Sequence, residues 1–127
     1  MIKLRFEINQ PINSVWLALT DKDIIKDWSG APEVMEATEG SKFSLWGGDI
    51  WGINTKVIKP TTLMQDWFAN DWDTPSKLTI NLESVDSHTT RIFLEHEHVP
   101  LAEEPEFRQG WDTYYMTPVK TLLESRP

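Results

Sequence analysis

The chain has 127 residues, with 12 Lys and Arg against 20 Asp and Glu, seven Trp and no Cys. A chain of this length can bury a core of its own, so we expect residues 1–127 to form one domain. The net charge of −8 with scattered basic residues argues against a nucleic-acid partner, because phosphate contacts need clustered Lys and Arg. Without Cys the chain has no disulfide, thiolate nucleophile or cysteine metal site.

The first residues predict a β-strand. Ile2, Leu4 and Phe6 alternate with charged side chains, which is the period-two pattern of a half-buried strand and not the apolar stretch of a signal peptide. The apolar run at residues 15–19 is too short to cross a bilayer. We therefore expect a cytoplasmic protein without a membrane partner.

Two short helices follow in the predicted order. Pro11 suits the first turn of a helix, and the apolar residues after it recur at helical spacing: Ile12, Val15, Trp16 and Leu19. Residues 20–23 (TDKD) resemble a capping box that opens a second helix. Gly30, Ala31 and Pro32 are expected to end that helix.

Turn signals then divide residues 42–97 into five strands of an antiparallel meander. These signals are Gly47-Gly48, Lys59-Pro60, residues 70–75 and Asp86-Ser87. A further strand is expected near residues 34–37, which gives a sheet of six to seven strands. One face of this sheet should be wet and the other covered.

The last predicted element is a long amphipathic helix over residues 105–125 that covers the sheet. Its apolar positions are Phe107, Trp111, Tyr114 or Tyr115, Pro118 and Leu122, at helical spacing. Pro118 should kink this helix, or restart it with Thr117 as the cap. The order of elements predicts the α+β class.

Several strings in this order resemble a known family. PINSVWLALTDKDIIKDW is similar to the opening of the START-like and Bet v-like proteins, which share the helix-grip fold. FSLWGGDIWG, LMQDW, HEHVP and FRQGWDTYYMTPVKTLLE are similar to the C-terminal domain of the heat shock protein 90 ATPase activators. The resemblance covers nearly the whole chain and implies a sheet gripping a long C-terminal helix. It also implies a chaperone partner, although the eukaryotic members carry an N-terminal domain as well, which the family associates with its main chaperone contact.

Polar residues on apolar strands suggest a ligand cavity between sheet and helix. Gln65 shares a strand face with Leu63 and Trp67, and a buried Gln needs partners, from a ligand or from a turn or the helix. Gly52, inside a strand, leaves room for a ligand or for a packed ring, and we expect Trp111 to be that ring. The expected cavity lining is Phe43, Leu45, Gly52, Gln65, Trp67, Ile80, Leu94, His96, Trp111 and Tyr115.

His96 and His98 lie two apart on a strand and could chelate a metal, but no third ligand can be named, so we expect no metal. His96 has the parity of Ile92 and Leu94 and should point inward, as a hydrogen-bonded core residue or toward a ligand. If the chain were an enzyme, His96, Gln65 and Tyr115 would be its general acid or base candidates.

Two functions follow from these observations. The first is a non-enzymatic domain, without a cofactor, that holds a small hydrophobic or aromatic molecule in the cavity. The second is a chaperone accessory or stress-response protein that binds a heat shock protein 90-type chaperone. Residues 1–64 carry a net charge of −1 and residues 65–127 a net charge of −7, so an acidic surface would face that partner.

Overall fold

The computed structural model describes residues 1–31 and 33–125. Its strands are β1 (Ile2–Ile8), β2 (Lys42–Leu45), β3 (Ile50–Ile58), β4 (Thr62–Ala69), β5 (Ser76–Asp86) and β6 (Thr89–Glu97). Its helices are α1 (Ile12–Thr20), α2 (Lys22–Ser29), α3 (Glu104–Gly110), a π-helical turn (Trp111–Met116) and α4 (Thr117–Glu124). Short 3-10 turns lie at Trp46–Gly48 and Leu101–Glu103.

The six strands form one antiparallel sheet in the order β1-β6-β5-β4-β3-β2. The α+β class and the five-stranded meander between residues 42 and 97 are confirmed. The further strand expected near residues 34–37 is reduced to one bridge between Val34 and Ser44. The sheet therefore has six strands among the described residues, with β1 and β2 at its edges.

The two faces of the sheet differ as expected. Apolar residues of the inner face, such as Leu63, Ile80 and Ile92, are fully buried against the helices. The outer face is polar across β1, β6 and β5, where Arg91 forms ion pairs with Glu7 and Glu83 on the two neighbouring strands. Exposed pairs of this kind contribute little to stability, so the free energy of folding comes mainly from the buried face.

The beginning of α2 differs in detail from the capping box expected at Thr20. The N-cap is Asp21, whose carboxylate accepts hydrogen bonds from the backbone N–H groups of Asp23 and Ile24. The Thr20 hydroxyl instead donates to the Trp16 carbonyl one turn back in α1. Gly30, in the left-handed region at φ 78°, ends α2 as expected; Pro32 lies outside the described residues.

The helical segments α3, the π turn and α4 form one C-terminal helix, residues 104–124. Gly110, Trp111, Met116 and Thr117 all keep right-handed helical dihedrals, so the helix does not restart at Pro118. Thr117 does not act as a cap, and its hydroxyl donates to Asp112. The π turn directly before Pro118 widens the helix where a proline ring would meet the carbonyl of the preceding turn.

The π turn also changes which side chains of the C-terminal helix face the sheet. A π turn closes with i→i+5 hydrogen bonds and so adds about one residue to the turn. The buried positions along the helix are Trp111, Tyr115, Met116, Val119 and Leu123. The α-helical spacing had pointed to Pro118 and Leu122, which are only partly buried; the fully buried positions follow each of them by one residue. Among the described residues no helix has the length and hydropathy needed to cross a bilayer.

Candidate functional site

An open groove lies between the C-terminal helix and the turn that joins β2 to β3. Its volume is about 390 Å³, within the usual range of small-molecule sites. We call it the aromatic groove, and its lining is Trp46, Asp49, Ile50, Trp67, Glu106, Phe107, Gly110, Trp111, Tyr114 and Tyr115. Three rings come from the π turn and one from α3, so the helix supplies much of the lining.

The turn at residues 46–49 places Trp46 at the groove. Gly47 and Gly48 have φ 69° and 102°, the conformations for which the sequence predicted glycine. Trp46 itself has φ 52°, which is unusual for a bulky residue and is held by its surroundings. Its backbone N–H donates to Oε1 of Glu33 at 3.2 Å, and its ring lies 6.3 Å from that of Trp28.

Glu33 is the charged group behind this part of the groove. Its Oε1 also accepts from the Ser29 hydroxyl at 2.6 Å, whereas its Oε2 is buried without a hydrogen-bond partner among the described residues. Burial raises the pKa of Glu33, and the two hydrogen bonds oppose that rise. The pKa of the buried Tyr115 is raised by its burial and also by the negative charge of Glu33.

The rings behind the groove pack on one another. Tyr115 lies 4.7 Å from both Trp28 and Trp111, measured between ring centroids. Trp67 stacks on Trp111 at 4.8 Å. These contacts fix the inner rings, while Tyr114 is 65% exposed at the groove. The groove thus has a rigid inner side, and Tyr114 is the most exposed of its lining rings.

A buried chain of hydrogen bonds connects the helix to the sheet beneath the groove. The Trp111 indole N–H donates to Nδ1 of His96 at 3.0 Å, so the neutral His96 ring carries its proton on Nε2. That nitrogen lies 2.7 Å from the Ser76 hydroxyl, which donates to the Trp67 carbonyl. Burial lowers the pKa of His96 to about 3. His96 is therefore a neutral core residue, one of the two roles considered for it.

A second chain extends from the same tryptophan across the sheet. The Trp67 indole N–H donates to Gln65 at 2.7 Å, and the Gln65 amide donates to Asn54 at 2.8 Å. The Asn54 amide in turn donates to the Glu36 carbonyl. Gln65 is thus satisfied by Trp67 of its own strand and by Asn54 of β3, and not by a turn or by the helix.

Gly52 does not face Trp111, and that expectation is wrong. A Cβ at position 52 would collide with the carbonyl oxygen of Asp66 on β4 and lie 3.0 Å from the Phe43 ring. The neighbouring strand therefore approaches the Gly52 backbone too closely for any side chain. Glycine at this position serves the packing of β3, and it leaves no space for a ligand.

The structure divides the ten residues of the expected cavity into two groups. Trp67, Trp111 and Tyr115 line the aromatic groove. The others lie in the buried core or on its strands: Phe43, Leu45, Gly52, Gln65, Ile80, Leu94 and His96. Sequence reasoning missed Asn54 and Ser76, although both lie on strand positions with inward parity, and it missed Glu33, which lies in a connection without periodicity.

The described residues contain no group of three or more His, Asp or Glu side chains suited to a metal. Both ring nitrogens of His96 are engaged, with Trp111 and with Ser76. His98 is exposed just beyond the end of β6, with φ 64°. The two histidines therefore do not share one coordination site.

A six-stranded antiparallel sheet with two short helices after β1 and a long C-terminal helix across its inner face defines a helix-grip, START-like protein. Solved structures share this fold. An HSP90 activator from Plasmodium falciparum superposes with a TM-score of 0.91 at 24% identity, over 97% of this chain and 95% of that one. CalU16 from Micromonospora echinospora superposes with a TM-score of 0.84 at 22% identity, over 98% and 74%.

The sequence comparison adds the family. The family model described as "Activator of Hsp90 ATPase homolog 1-like protein" matches residues 9–124, and the chain belongs to this family. The human activator of 90 kDa heat shock protein ATPase homolog 1 is 27% identical over 107 residues, or 84% of this chain. The alignment covers 32% of the human protein, so the chain spans about a third of that relative's length.

Proposed function

We propose that residues 1–127 act as one START-like domain that binds a heat shock protein 90-type chaperone as an accessory. The observation that carries this proposal is the match of the Hsp90-activator family model to residues 9–124. Because the chain corresponds to only part of the human relative, the activation of a chaperone ATPase is itself part of the proposal. The cytoplasmic location expected from the sequence is also part of this proposal.

The distribution of charge supports a protein partner. Residues 65–127 carry a net charge of −7, against −1 for residues 1–64. Several of the carboxylates lie near one end of the sheet. The Trp72 indole donates to Glu103, and the Trp72 ring lies 5.2 Å from that of Phe107 in the groove. Asp71 and Asp73 are the sequence neighbours of Trp72. Such a surface increases the rate of association with a basic surface of a partner.

The test uses the immobilised chain and the purified heat shock protein 90-type chaperone of the same organism. We expect retention of the chaperone at low ionic strength, a decrease as salt is added, and a change in its ATPase rate on addition of the free chain. A column that carries the heat-denatured chain is the control for nonspecific adsorption. Absence of retention at the lowest salt would contradict the proposal.

A second function, the binding of a small hydrophobic or aromatic molecule, is favoured by the aromatic groove. The inner part of the expected cavity is packed core, so the ligand would enter at the groove, beside Trp67, Trp111 and Tyr115. We expect members of a hydrophobic metabolite library to raise the melting temperature. A ligand at about a hundred times its dissociation constant adds about 2.7 kcal/mol to the free energy of unfolding.

Filling the groove provides the matched variant for this screen. A Cβ at Gly110 would meet only the Tyr114 ring, at 3.8 Å, so Gly110→Leu can project into the groove without a backbone collision. We expect this variant to fold and to lose the ligand-induced shift. Ligands that stabilise the variant as much as the wild type would place the binding elsewhere and contradict this second function.

A further inference from the structure

The aromatic groove combines ring surfaces with negative charge. Six of its lining residues are aromatic: Trp46, Trp67, Phe107, Trp111, Tyr114 and Tyr115. Two more, Asp49 and Glu106, carry carboxylates. No Lys, Arg or His belongs to this lining within the described part of the chain. The surface of the groove is therefore mostly apolar, and the charged side chains that line it are all negative.

The two carboxylates of the groove are available to a ligand. Asp49 follows the β2–β3 turn and Glu106 lies on α3, and both side chains are exposed. Over residues 1–31 and 33–125, the side chains of Asp49 and Glu106 take part in no hydrogen bond or ion pair. Glu104, by contrast, pairs with Arg108 and with the N-terminal amino group of Met1. Arg108 and the N-terminal amino group are thus paired with a carboxylate that does not line the groove.

The surroundings make the electrostatic potential of the groove more negative. Glu33 carries its charge close enough to Tyr115 to raise the pKa of that phenol. At the outer end, Glu103 lies against Trp72, which packs on Phe107. Aromatic faces are themselves attractive to cations because of the ring quadrupole. Ring faces and unpaired carboxylates around one cavity therefore favour the same class of ligand.

We propose that the aromatic groove binds a small organic cation, an alkylammonium group carried on an apolar or aromatic body. This inference deepens, and rests on, the second function proposed above. A hydrated inorganic cation fits less well, because it requires several oxygen ligands at short distance and the groove offers mostly carbon. An alkylammonium group gives up less hydration, so its methyl groups can lie on the rings while the carboxylates balance its charge.

The experiment compares two probes of the same shape that differ in charge. Benzyltrimethylammonium carries the cation, and neopentylbenzene replaces its nitrogen by carbon. Each is titrated into the full chain in the same co-solvent, and binding is followed by the NMR shifts of the indole N–H groups of Trp46, Trp67 and Trp111. We expect saturable shifts with the cation, an affinity at least about tenfold higher than for the neutral probe, and weakening with added salt.

Variants separate the charge of the groove from its shape. Asp49→Asn with Glu106→Gln removes two exposed carboxylates, and we expect it to fold normally and to lower the cation affinity about tenfold. Tyr114→Ala removes the exposed ring and should also weaken binding. Glu83→Gln, on the outer face of β5, is the control and should leave the affinity unchanged.

The outcomes are distinct. Equal affinities for the two probes, with wild-type affinity in the carboxylate variant, would overturn the inference of a cation site but leave a small-molecule groove in place. No shift of the groove indoles with the cation would also overturn the inference, and the metabolite screen with Gly110→Leu would then decide the second function by itself. Shifts that persist unchanged in Tyr114→Ala would place the probe outside the groove.

Discussion

Gly52 determines how closely β3 and β4 can approach each other. A Cβ at this position would collide with the Asp66 carbonyl oxygen, which belongs to the backbone and cannot move without disturbing the pairing of the two strands. We expect Gly52→Ala to lower the free energy of unfolding by about 3 kcal/mol, or to prevent folding. Urea denaturation measures the change.

A second glycine provides the control. Gly110 lies in the C-terminal helix with φ −62°, and an added Cβ would make only an ordinary contact with Tyr114. Gly110→Ala should therefore raise the free energy of unfolding by up to about 1 kcal/mol, because alanine favours the helix. If Gly52→Ala and Gly110→Ala were equally stable, the close approach of β4 to Gly52 would not limit the side chain at position 52, and the prediction would be wrong.

His96 should make the stability of the protein depend on pH. Burial lowers its folded-state pKa from 6.5 to about 3, so the unfolded chain binds more protons than the folded one between these values. The contribution of neutral His96 is complete above pH 6.5 and is lost as the pH falls toward 3. The free energy of unfolding should fall by up to about 1.4 kcal/mol per pH unit from this group.

The comparison of two histidine variants isolates this contribution. His96→Gln removes the titrating ring and should give a shallower dependence of the unfolding free energy on pH in acid, whatever its stability at neutral pH. His88→Gln removes an exposed side chain from the β5–β6 turn and should retain the wild-type slope. The raised pKa of Glu33 acts in the opposite direction, so only the difference between wild type and variant is informative. An unchanged slope in His96→Gln would contradict the prediction.

At the scale of the element, the π turn decides which leucine of α4 belongs to the core. Leu123 is 2% exposed, whereas Leu122 is only partly buried. We expect Leu123→Ala to cost about 2 to 4 kcal/mol of unfolding free energy, because it leaves a cavity in the packed core. Leu122→Ala should cost about 1 kcal/mol or less. Thermal and urea denaturation of the two variants compare them, and the reverse order would mean that the helix keeps a regular α-helical phase.

The same element shows where sequence reasoning succeeds and where it ends. Alternation in β5 and β6 and the turn at Gly47 predicted the strands, because local backbone preferences produce them. The phase of α4 could not be predicted, since periodicity assumes a constant number of residues per turn and a π turn breaks that assumption. Pro118 was the signal of an irregularity, but it did not specify the kind.

At the scale of the whole molecule, the site depends on contacts between distant segments. The aromatic residues were recognised as an excess, but periodicity does not say which rings fill the core and which line an opening. Trp67 and Trp111, for example, are separated by 44 positions in the sequence, and their rings stack only because the fold brings β4 and the C-terminal helix together. Glu33 reaches Trp46 from a connection without regular structure. The parity of His96 and Gln65 was predictable, whereas their partners were not.

The uneven charge of the molecule leads to the last prediction. If the acidic half steers association with a chaperone, removing two of its charges should lower the association rate and the dependence of affinity on salt. We choose Asp71→Asn with Asp73→Asn, both exposed in the β4–β5 connection. The matched control is Asp23→Asn with Glu36→Gln, two exposed acids of residues 1–64, where the net charge is only −1. Surface plasmon resonance over a series of salt concentrations measures both. Identical slopes for the two double variants would mean that total charge, and not its distribution over the molecule, controls the encounter.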